Sequence, residues 1–271
     1  MKDEILEQAA REARAGSRDA LERVLVAIQG NVYGLCVRML WHPEDARDAS
    51  QEILIRVMTH LGDFRGESAF GTWVYRVAAN YLLDVRKSRL EAREWSFEKF
   101  RHELADNLAA ADTPADDAVL LEEVKIGCTL GMLLCLDRAH RLAYILGDIM
   151  ELDHVQAAAA LGVTPGAYRK RLSRARSEVV AFLRESCGLF DPANACRCRR
   201  RVRYAIDSGR IDPRSPIFAI DREKAGGFPS VLAQIRRLEH DQRAAALYRS
   251  HPPLDAPSEF ADWLRRRLAD Y

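Results

Sequence analysis

The chain has 271 residues, of which 48% are hydrophobic, and its 41 Lys and Arg residues nearly balance 40 Asp and Glu residues. This composition excludes a disordered or fibrous chain, and the length predicts about two domains. No apolar run approaches the ~20 residues that span a bilayer, and the charged start Met1-Lys2-Asp3-Glu4 lacks the apolar segment of a signal peptide. We therefore expect a cytoplasmic protein with no membrane partner, whose six cysteines are thiols, metal ligands or redox sensors rather than disulfides.

The net charge of +1 conceals blocks of opposite sign. Residues 102–163 carry a net charge of −8, and residues 164–203 carry +8. Because charges act within a Debye length of about 8–10 Å, segment sums matter more than the whole-chain value. Such asymmetry is typical of nucleic-acid binding or of internal electrostatic contacts. We expect the two blocks to contact each other in the free protein and to shield the basic segment.

Apolar residues recur at helical spacing in almost every segment, and alternating strand patterns are missing, so the sequence predicts an all-α protein. A helix is predicted over residues 46–61, with one apolar stripe. Its opposite, polar face contains Asp48, Gln51, Glu52 and Arg56.

A loop is predicted at residues 64–70, with Ser68 as the N-cap of a helix that ends near residue 86. Residues 88–118 lose the helical period and are acidic and Ala-rich, so they are the predicted linker. Helices resume near residue 118 and continue to about residue 183.

Two adjacent segments predict a helix-turn-helix. Asp153 has the spacing of an N-cap, Gly162 has the place of the left-handed residue that ends the first helix, and Thr164 with Pro165 begins the second. Basic residues occupy the faces of this second helix outside its apolar stripe. Such a helix can lie in a major groove, with its side chains on phosphates and base edges. A basic surface helix of an ordinary helical domain is the alternative.

Three segments carry specific motifs: DARDASQE at residues 45–52, FRGESAFGTWVYRVAAN at residues 64–80 and LGVTPGAYRKRLSRAR at residues 161–176. The first two resemble region 2 of the extracytoplasmic-function (ECF) sigma factors of bacterial RNA polymerase, and the third resembles the end of their region 4. The resemblance covers about two-thirds of the chain. It implies a non-enzymatic initiation subunit that directs promoter-specific transcription through the −10 and −35 elements.

The resemblance also implies a domain organisation and partners. Region 2 would occupy residues 1–88, a linker residues 89–117, the region 4 helix-turn-helix residues 118–185, and a helical extension residues 186–271. The implied partners are promoter DNA and core RNA polymerase, through the clamp of its largest subunit and the flap of its second-largest subunit. An anti-sigma factor is a further candidate.

Site residues follow from the resemblance, by position in this sequence. The polymerase-binding candidates are Asp48, Gln51, Glu52 and Arg56. The −10 candidates are Phe64, Arg65, Ser68, Trp73, Arg76, Asn80, Arg86 and Lys87. The −35 candidates are Thr164, Tyr168, Arg169, Lys170, Arg171, Arg174 and Arg176. For Trp73, its spacing with Val77 favours a core position over a base-stacking one.

Three cysteines, Cys187, Cys196 and Cys198, lie within twelve residues at the start of the extension. Three interpretations stay open: a site for zinc or another thiophilic metal, a redox switch whose thiol pKa values the nearby arginines lower, and incidental cysteines. No cofactor is required by the resemblance. A fourth zinc ligand is not close in sequence, and His240 and His251 are the distant candidates. The earlier Cys128 and Cys135 are expected in the core.

Helical patterns over residues 228–249 and 258–268 complete the extension. We expect an appendage that docks on the sigma domains and regulates access of polymerase or promoter. A stand-alone helix-turn-helix regulator with a metal- or redox-sensing tail is the alternative function. An enzyme is disfavoured, because no His-Glu-x-x-His, Walker, nucleophile-elbow or dinucleotide motif occurs in the sequence.

Overall fold

The computed structural model describes residues 2–85, 91, 95–106, 117–219, 222–254, 256–257 and 259–269. Helices and no strands occur within these residues, which confirms the all-α prediction. The α-helices there are α1 (Lys2–Arg14), α2 (Arg18–Leu40), α3 (Pro43–Thr59), α4 (Phe70–Asp84), α5 (Phe97–Asp106), α6 (Ala118–Leu134), α7 (Arg138–Tyr144), α8 (His154–Ala160), α9 (Pro165–Ser186), α10 (Cys198–Asp207), α11 (Arg222–Ile235), α12 (His240–Arg249) and α13 (Glu259–Ala269).

The chain forms two compact units. Unit 1 consists of Met1–Ser88, Leu152–Lys170 and Pro253–Tyr271, and unit 2 consists of Arg89–Glu151 and Arg171–Pro252. The first division falls where the linker was predicted to begin. The helix-turn-helix and the C-terminal extension each contribute residues to both units, which the sequence did not indicate.

Helix α2 is the centre of unit 1, where it packs against α1, α3, α4 and α13. Ser17 caps it, because the Ser17 hydroxyl accepts a hydrogen bond from the backbone N–H of Ala20. By length and composition, α2 could also cross a membrane, contrary to the expectation from the sequence. Most of its apolar window is buried inside the protein, as in the core helix of a globular bundle.

A backbone N–H at the N-terminus of α4 has its hydrogen-bond acceptor in a distant helix. Residue Ala69 is the N-cap and makes no side-chain cap, while the Ser68 hydroxyl donates to the carbonyl of Ala69. The carboxylate of Glu7 in α1 instead accepts the backbone N–H of Phe70. The predicted Ser68 cap is therefore wrong, because a negative charge from another helix supplies the acceptor at this positive helix end.

Unit 2 is built around α6, against which α10 and α11 pack. The buried carboxylate of Glu123 accepts the consecutive backbone N–H groups of residues 217, 218 and 219, at 2.7–2.9 Å. Another buried carboxylate, Glu91, lies within 2.8 Å of the guanidinium groups of both Arg138 and Arg141. The buried charges of Glu123 and Glu91 therefore have hydrogen-bond or ion-pair partners, because a buried charge without a partner is strongly destabilising.

A helix lies inside the predicted linker. Helix α5 buries Phe100 and Leu104, and the rings of Phe97 and Phe100 pack on Phe182 of α9 with centroids 5.2 and 5.4 Å away. The expectation that this stretch lacks helical periodicity is wrong for residues 97–106. Its acidic residues concealed an apolar stripe at helical spacing.

Two helices replace the single helix predicted over residues 228–249. Helix α11 ends at Ile235 and α12 begins at His240. The guanidinium of Arg243 in α12 donates to the carbonyls of Arg236 and Leu238 in the connection. These hydrogen bonds stabilise the break, because the carbonyl groups after a helix end need donors.

Candidate polymerase and nucleic-acid interfaces

The polar face of α3 is a surface in unit 1. The Asp48 side chain is 73% exposed, and Glu52 pairs with Arg56 at 2.8 Å. The Arg56 guanidinium also lies 4.8 Å from the centroid of the Tyr81 ring in α4. Burial, with the nearby charge of Glu52, raises the pKa of Tyr81. This tyrosine was not identified in the sequence, because only the packing of α3 on α4 brings it to that face.

The aromatic residues near the candidate −10 loop form a cluster. The Phe64 ring is 5.1 Å from that of Phe70 and 5.7 Å from that of Trp73. Phe64 is 4% exposed, so it anchors the loop and has no surface for a DNA base, which corrects its candidate role. Half-buried Trp73 packs in the same cluster, as its spacing favoured. The neighbouring Arg65 is exposed and is available to a phosphate.

The outer face of α4 carries exposed Arg76 and Asn80. Helix α8 packs on α4, and the Arg76 Nε donates to the carbonyl of Ala159 at 2.9 Å. A carbonyl near a helix C-terminus attracts a cation because of the helix dipole. Arg76 therefore has a structural partner within unit 1. The candidates Arg86 and Lys87 lie outside the described residues.

The predicted turn between α8 and α9 is confirmed in detail. The Asp153 carboxylate accepts the N–H groups of Val155 and Gln156 at 2.8 and 2.9 Å. Gly162 has φ of +62°, the left-handed conformation that favours glycine. The Thr164 hydroxyl accepts the Ala167 N–H at 3.2 Å, so its main role is to cap α9.

Helix α9 separates its candidate −35 contacts into two groups. Arg169, Lys170 and Arg174 are exposed, and Arg171 is half-buried. Tyr168 is fully buried and therefore positions the helix, which corrects its candidate role as a DNA contact.

Arg176 has a structural partner. Its Nε lies 2.8 Å from the carboxylate of Asp148, whose side chain is only 5% exposed. The sequence did not reveal this ion pair, because the two residues are 28 positions apart. The Arg176 guanidinium therefore binds a carboxylate inside unit 2, unlike the exposed basic side chains of α9.

The acidic and basic blocks meet on α9, where Asp148 pairs with Arg176, and again between α5 and α10. The carboxylate of Glu103 in α5 is 3.3 Å from Arg201 in α10, and it also pairs with Arg210. Contact between the blocks is therefore confirmed at both places. On α9 the acidic block pairs with Arg176 but leaves the basic residues at 169, 170 and 174 exposed, so the expected shielding is wrong for these three residues.

The C-terminal cysteines are brought near each other by a tight loop. The Cys196 carbonyl is so close to Gly188 that a Cβ there would be 2.1 Å from it, and Cys198 packs against the core cluster that contains Val124 of α6. The thiol of Cys128, also on α6, interacts electrostatically with those of Cys187, Cys196 and Cys198. Cys128 was not recognised in the sequence as their neighbour.

Burial dominates the chemistry of these thiols. It raises the pKa of Cys187, and it raises the pKa of Cys196 to about 11, because the opposing arginines have smaller effects. The nearby arginines do act to lower the pKa values of Cys187 and Cys196, but burial has the larger effect, so the predicted net lowering is wrong.

The candidate metal site is not assembled among the described residues, where no three His, Cys, Asp or Glu side chains are placed to hold a metal ion. The His240 ring stacks on Phe190, and the His251 Nε2 lies 2.9 Å from the Thr129 hydroxyl. Both candidate fourth ligands thus have other contacts. Metal binding by Cys187, Cys196 and Cys198 stays a prediction.

Comparison with known proteins supports the resemblance of α3 and α4 to sigma-factor region 2. The family model for Sigma-70 region 2 matches residues 25–91, which include most of α2 and all of α3 and α4. Residues 25–91 therefore match the Sigma-70 region 2 domain that the motifs at residues 45–52 and 64–80 predicted.

Three similar proteins identify the family of sigma factors more specifically. The chain is 30% identical to the RNA polymerase sigma factor CnrH of Cupriavidus metallidurans, over 64% of this chain and 92% of that protein. It is 29% identical to the sigma factor NccH of Alcaligenes xylosoxydans xylosoxydans (69% and 99%) and 26% identical to the ECF sigma factor SigW of Bacillus subtilis (67% and 98%). The chain belongs to the ECF family of RNA polymerase sigma factors.

A solved structure of CnrH in complex with the cytosolic domain of CnrY also matches, with a TM-score of 0.44 and 25% identity, over 67% of this chain and 96% of that chain. About a third of this chain lies outside the match to each of these three sigma factors.

Proposed function

We propose that this sigma factor binds core RNA polymerase through the polar face of α3, opens the −10 element with the loop before α4, and contacts the −35 element with α9. It acts in the cytoplasm and catalyses no reaction of its own. Its family supports the overall role, and the exposed side chains described above support the assignment of each surface.

The exposed basic face of α9 carries the proposal. Arg169, Lys170 and Arg174 point away from the buried stripe of the helix, directly after a capped turn. This geometry suits a helix in the major groove, where cationic side chains contact phosphates and base edges. Because phosphate contacts release counterions, binding through this face will weaken steeply with salt.

The surfaces in unit 1 support the other contacts. Asp48, Glu52 and Arg56 form an accessible charged stripe suited to a charged partner. Arg65 and Asn80 are exposed near the aromatic cluster that fixes the loop. Opening DNA requires phosphate partners and polar groups for unstacked bases, and these two side chains are placed to supply them.

Run-off transcription with sigma-free core polymerase tests the proposal. We expect promoter-dependent transcripts only when core polymerase and this protein are both present. Specific duplex binding by the protein alone, with no transcript in the mixture, would refute the role proposed for α3. Asp48→Arg should reduce the affinity for core polymerase, whereas Glu178→Arg, an equally sized charge change at an exposed position of α9, should not.

A further inference from the structure

The C-terminal helix α13 is seated on the region 2 bundle. Its apolar residues Phe260, Leu264 and Leu268 are at most 3% exposed. The groove beneath the helix lies between α2 and α3. It is lined by Leu25, Leu54, Ile55 and Met58, which face Trp263, Leu264 and Leu268 of α13.

Polar and aromatic contacts fix the direction of α13. The Phe260 ring meets that of Tyr33 edge-on at 6.2 Å, near the C-terminal half of α2. Arg265 lies 3.7 Å from Glu22, and Arg18 donates to the carbonyl of Leu268 at the other end. Helix α13 therefore runs antiparallel to α2 along most of its own length, in a defined register.

The seat of α13 adjoins the candidate polymerase surface on α3 at Gln51, whereas Asp48, Glu52 and Arg56 stay accessible beside it. Leu54, Ile55 and Met58 continue one helical stripe that begins at Gln51, with spacings of three, four and seven residues. Gln51 is one of the candidate polymerase contacts. Packed helices lie about 8–10 Å apart, and each is about 10–12 Å wide with its side chains. A polymerase element that packs on this stripe therefore needs volume that α13 fills.

We propose that α13 is an intramolecular competitor of core RNA polymerase for the α2–α3 face, so that the chain carries its own inhibitory segment. The proposal rests on the proposed function of α3. A tethered segment acts at an effective concentration of about millimolar, so even weak docking lowers the apparent affinity of a soluble partner. The polymerase must release α13 before it can use the whole face.

Two substitutions in α13 test the competition. Leu264→Asp puts a charge into the buried seat, and burial of a leucine corresponds to roughly a tenfold or larger shift of the docking equilibrium. Arg266→Glu is the matched control, because Arg266 is exposed on the same helix. We expect the Kd for core polymerase to tighten about fivefold or more in Leu264→Asp and to change little in Arg266→Glu.

Hydrogen exchange of the unmodified full chain gives an independent measurement. The amides of residues 259–269 should be protected in the free protein and should lose protection when core polymerase binds. Unchanged or weaker polymerase binding by Leu264→Asp, or continued protection of α13 in the complex, would overturn the competition. Failure of every variant to bind polymerase, Leu264→Asp included, would instead refute the proposed function.

Discussion

Arg174 and Arg176 lie two positions apart on α9, yet the structure gives them different tasks. Arg174 is exposed, whereas Arg176 pairs with the buried carboxylate of Asp148. We predict that Arg174→Ala weakens promoter binding without a change in stability, and that Arg176→Ala lowers stability and leaves the salt dependence of promoter binding unchanged. The pair separates a DNA contact from a structural contact on one helix.

Arg174→Ala is expected to change the salt dependence of promoter binding, and Arg176→Ala is expected to change the free energy of unfolding. One phosphate contact contributes about 0.9 to the slope of log K against log salt, so its loss changes the effect of raising salt from about 50 to 200 mM by about 3.5-fold. Loss of one partner of a fully buried pair costs about 3–5 kcal/mol. Because the Arg176 side chain is 43% exposed, solvent screening reduces the expected loss to about 1–3 kcal/mol.

Urea unfolding of the free proteins and salt titration of holoenzyme on a promoter fragment measure the two effects. Wild-type protein and Arg174→Ala should unfold at the same urea concentration, and Arg176→Ala should unfold earlier. Full stability of Arg176→Ala, together with a salt slope reduced as much as in Arg174→Ala, would refute this assignment, because Arg176 would then contact DNA and not Asp148.

Three further predictions concern packing and pH. Arg76→Ala should increase hydrogen exchange in residues 154–160, because α8 loses a hydrogen bond worth about 0.5–1.5 kcal/mol; unchanged exchange would contradict the contact. Glu123→Gln should lower the free energy of unfolding by about 2–4 kcal/mol, because three buried N–H groups lose a charged acceptor, whereas Glu185→Gln, at a 60% exposed ion pair, should cost less than about 1 kcal/mol. The pKa of Cys196 is raised from 9.0 to about 11 in the folded state, so the stability it contributes is present below pH 9 and is lost as pH rises through 11. Between pH 8 and 10 this thiol should account for about 1 kcal/mol of lost stability, and Cys196→Ala should flatten the pH dependence in urea unfolding; an unchanged slope would count against burial of the thiol.

Local features of the site were predictable, because their causes are local. Asp153, Gly162 and Thr164 make the turn between α8 and α9 with partners at most three residues away, so their spacing in the sequence is sufficient evidence. The family resemblance added the functional surfaces. The polar stripe of α3 followed from periodicity alone, since opposite faces of one helix differ in composition.

Features that depend on distant partners were missed. The N–H of Phe70 finds its acceptor in Glu7, 63 residues away, so the nearby Ser68 is not needed as a cap. Tyr168 and Phe64 have residue types that suit DNA, but packing buries both. Helix α5 was different, because the spacing of Phe97, Phe100 and Leu104 was visible and acidic composition obscured it.

The contact between Arg18 and Leu268 joins residues 250 positions apart. During translation at about 5–20 residues per second, the ribosome needs roughly 12–50 s to reach Leu268 after it has added Arg18. The α2–α3 face can therefore fold on the nascent chain well before its covering helix exists. Each newly made molecule passes through an open period whose length the translation rate sets, and inhibition by α13 begins only after synthesis has reached that helix. The delay makes the encounter with polymerase sensitive to the rate of translation.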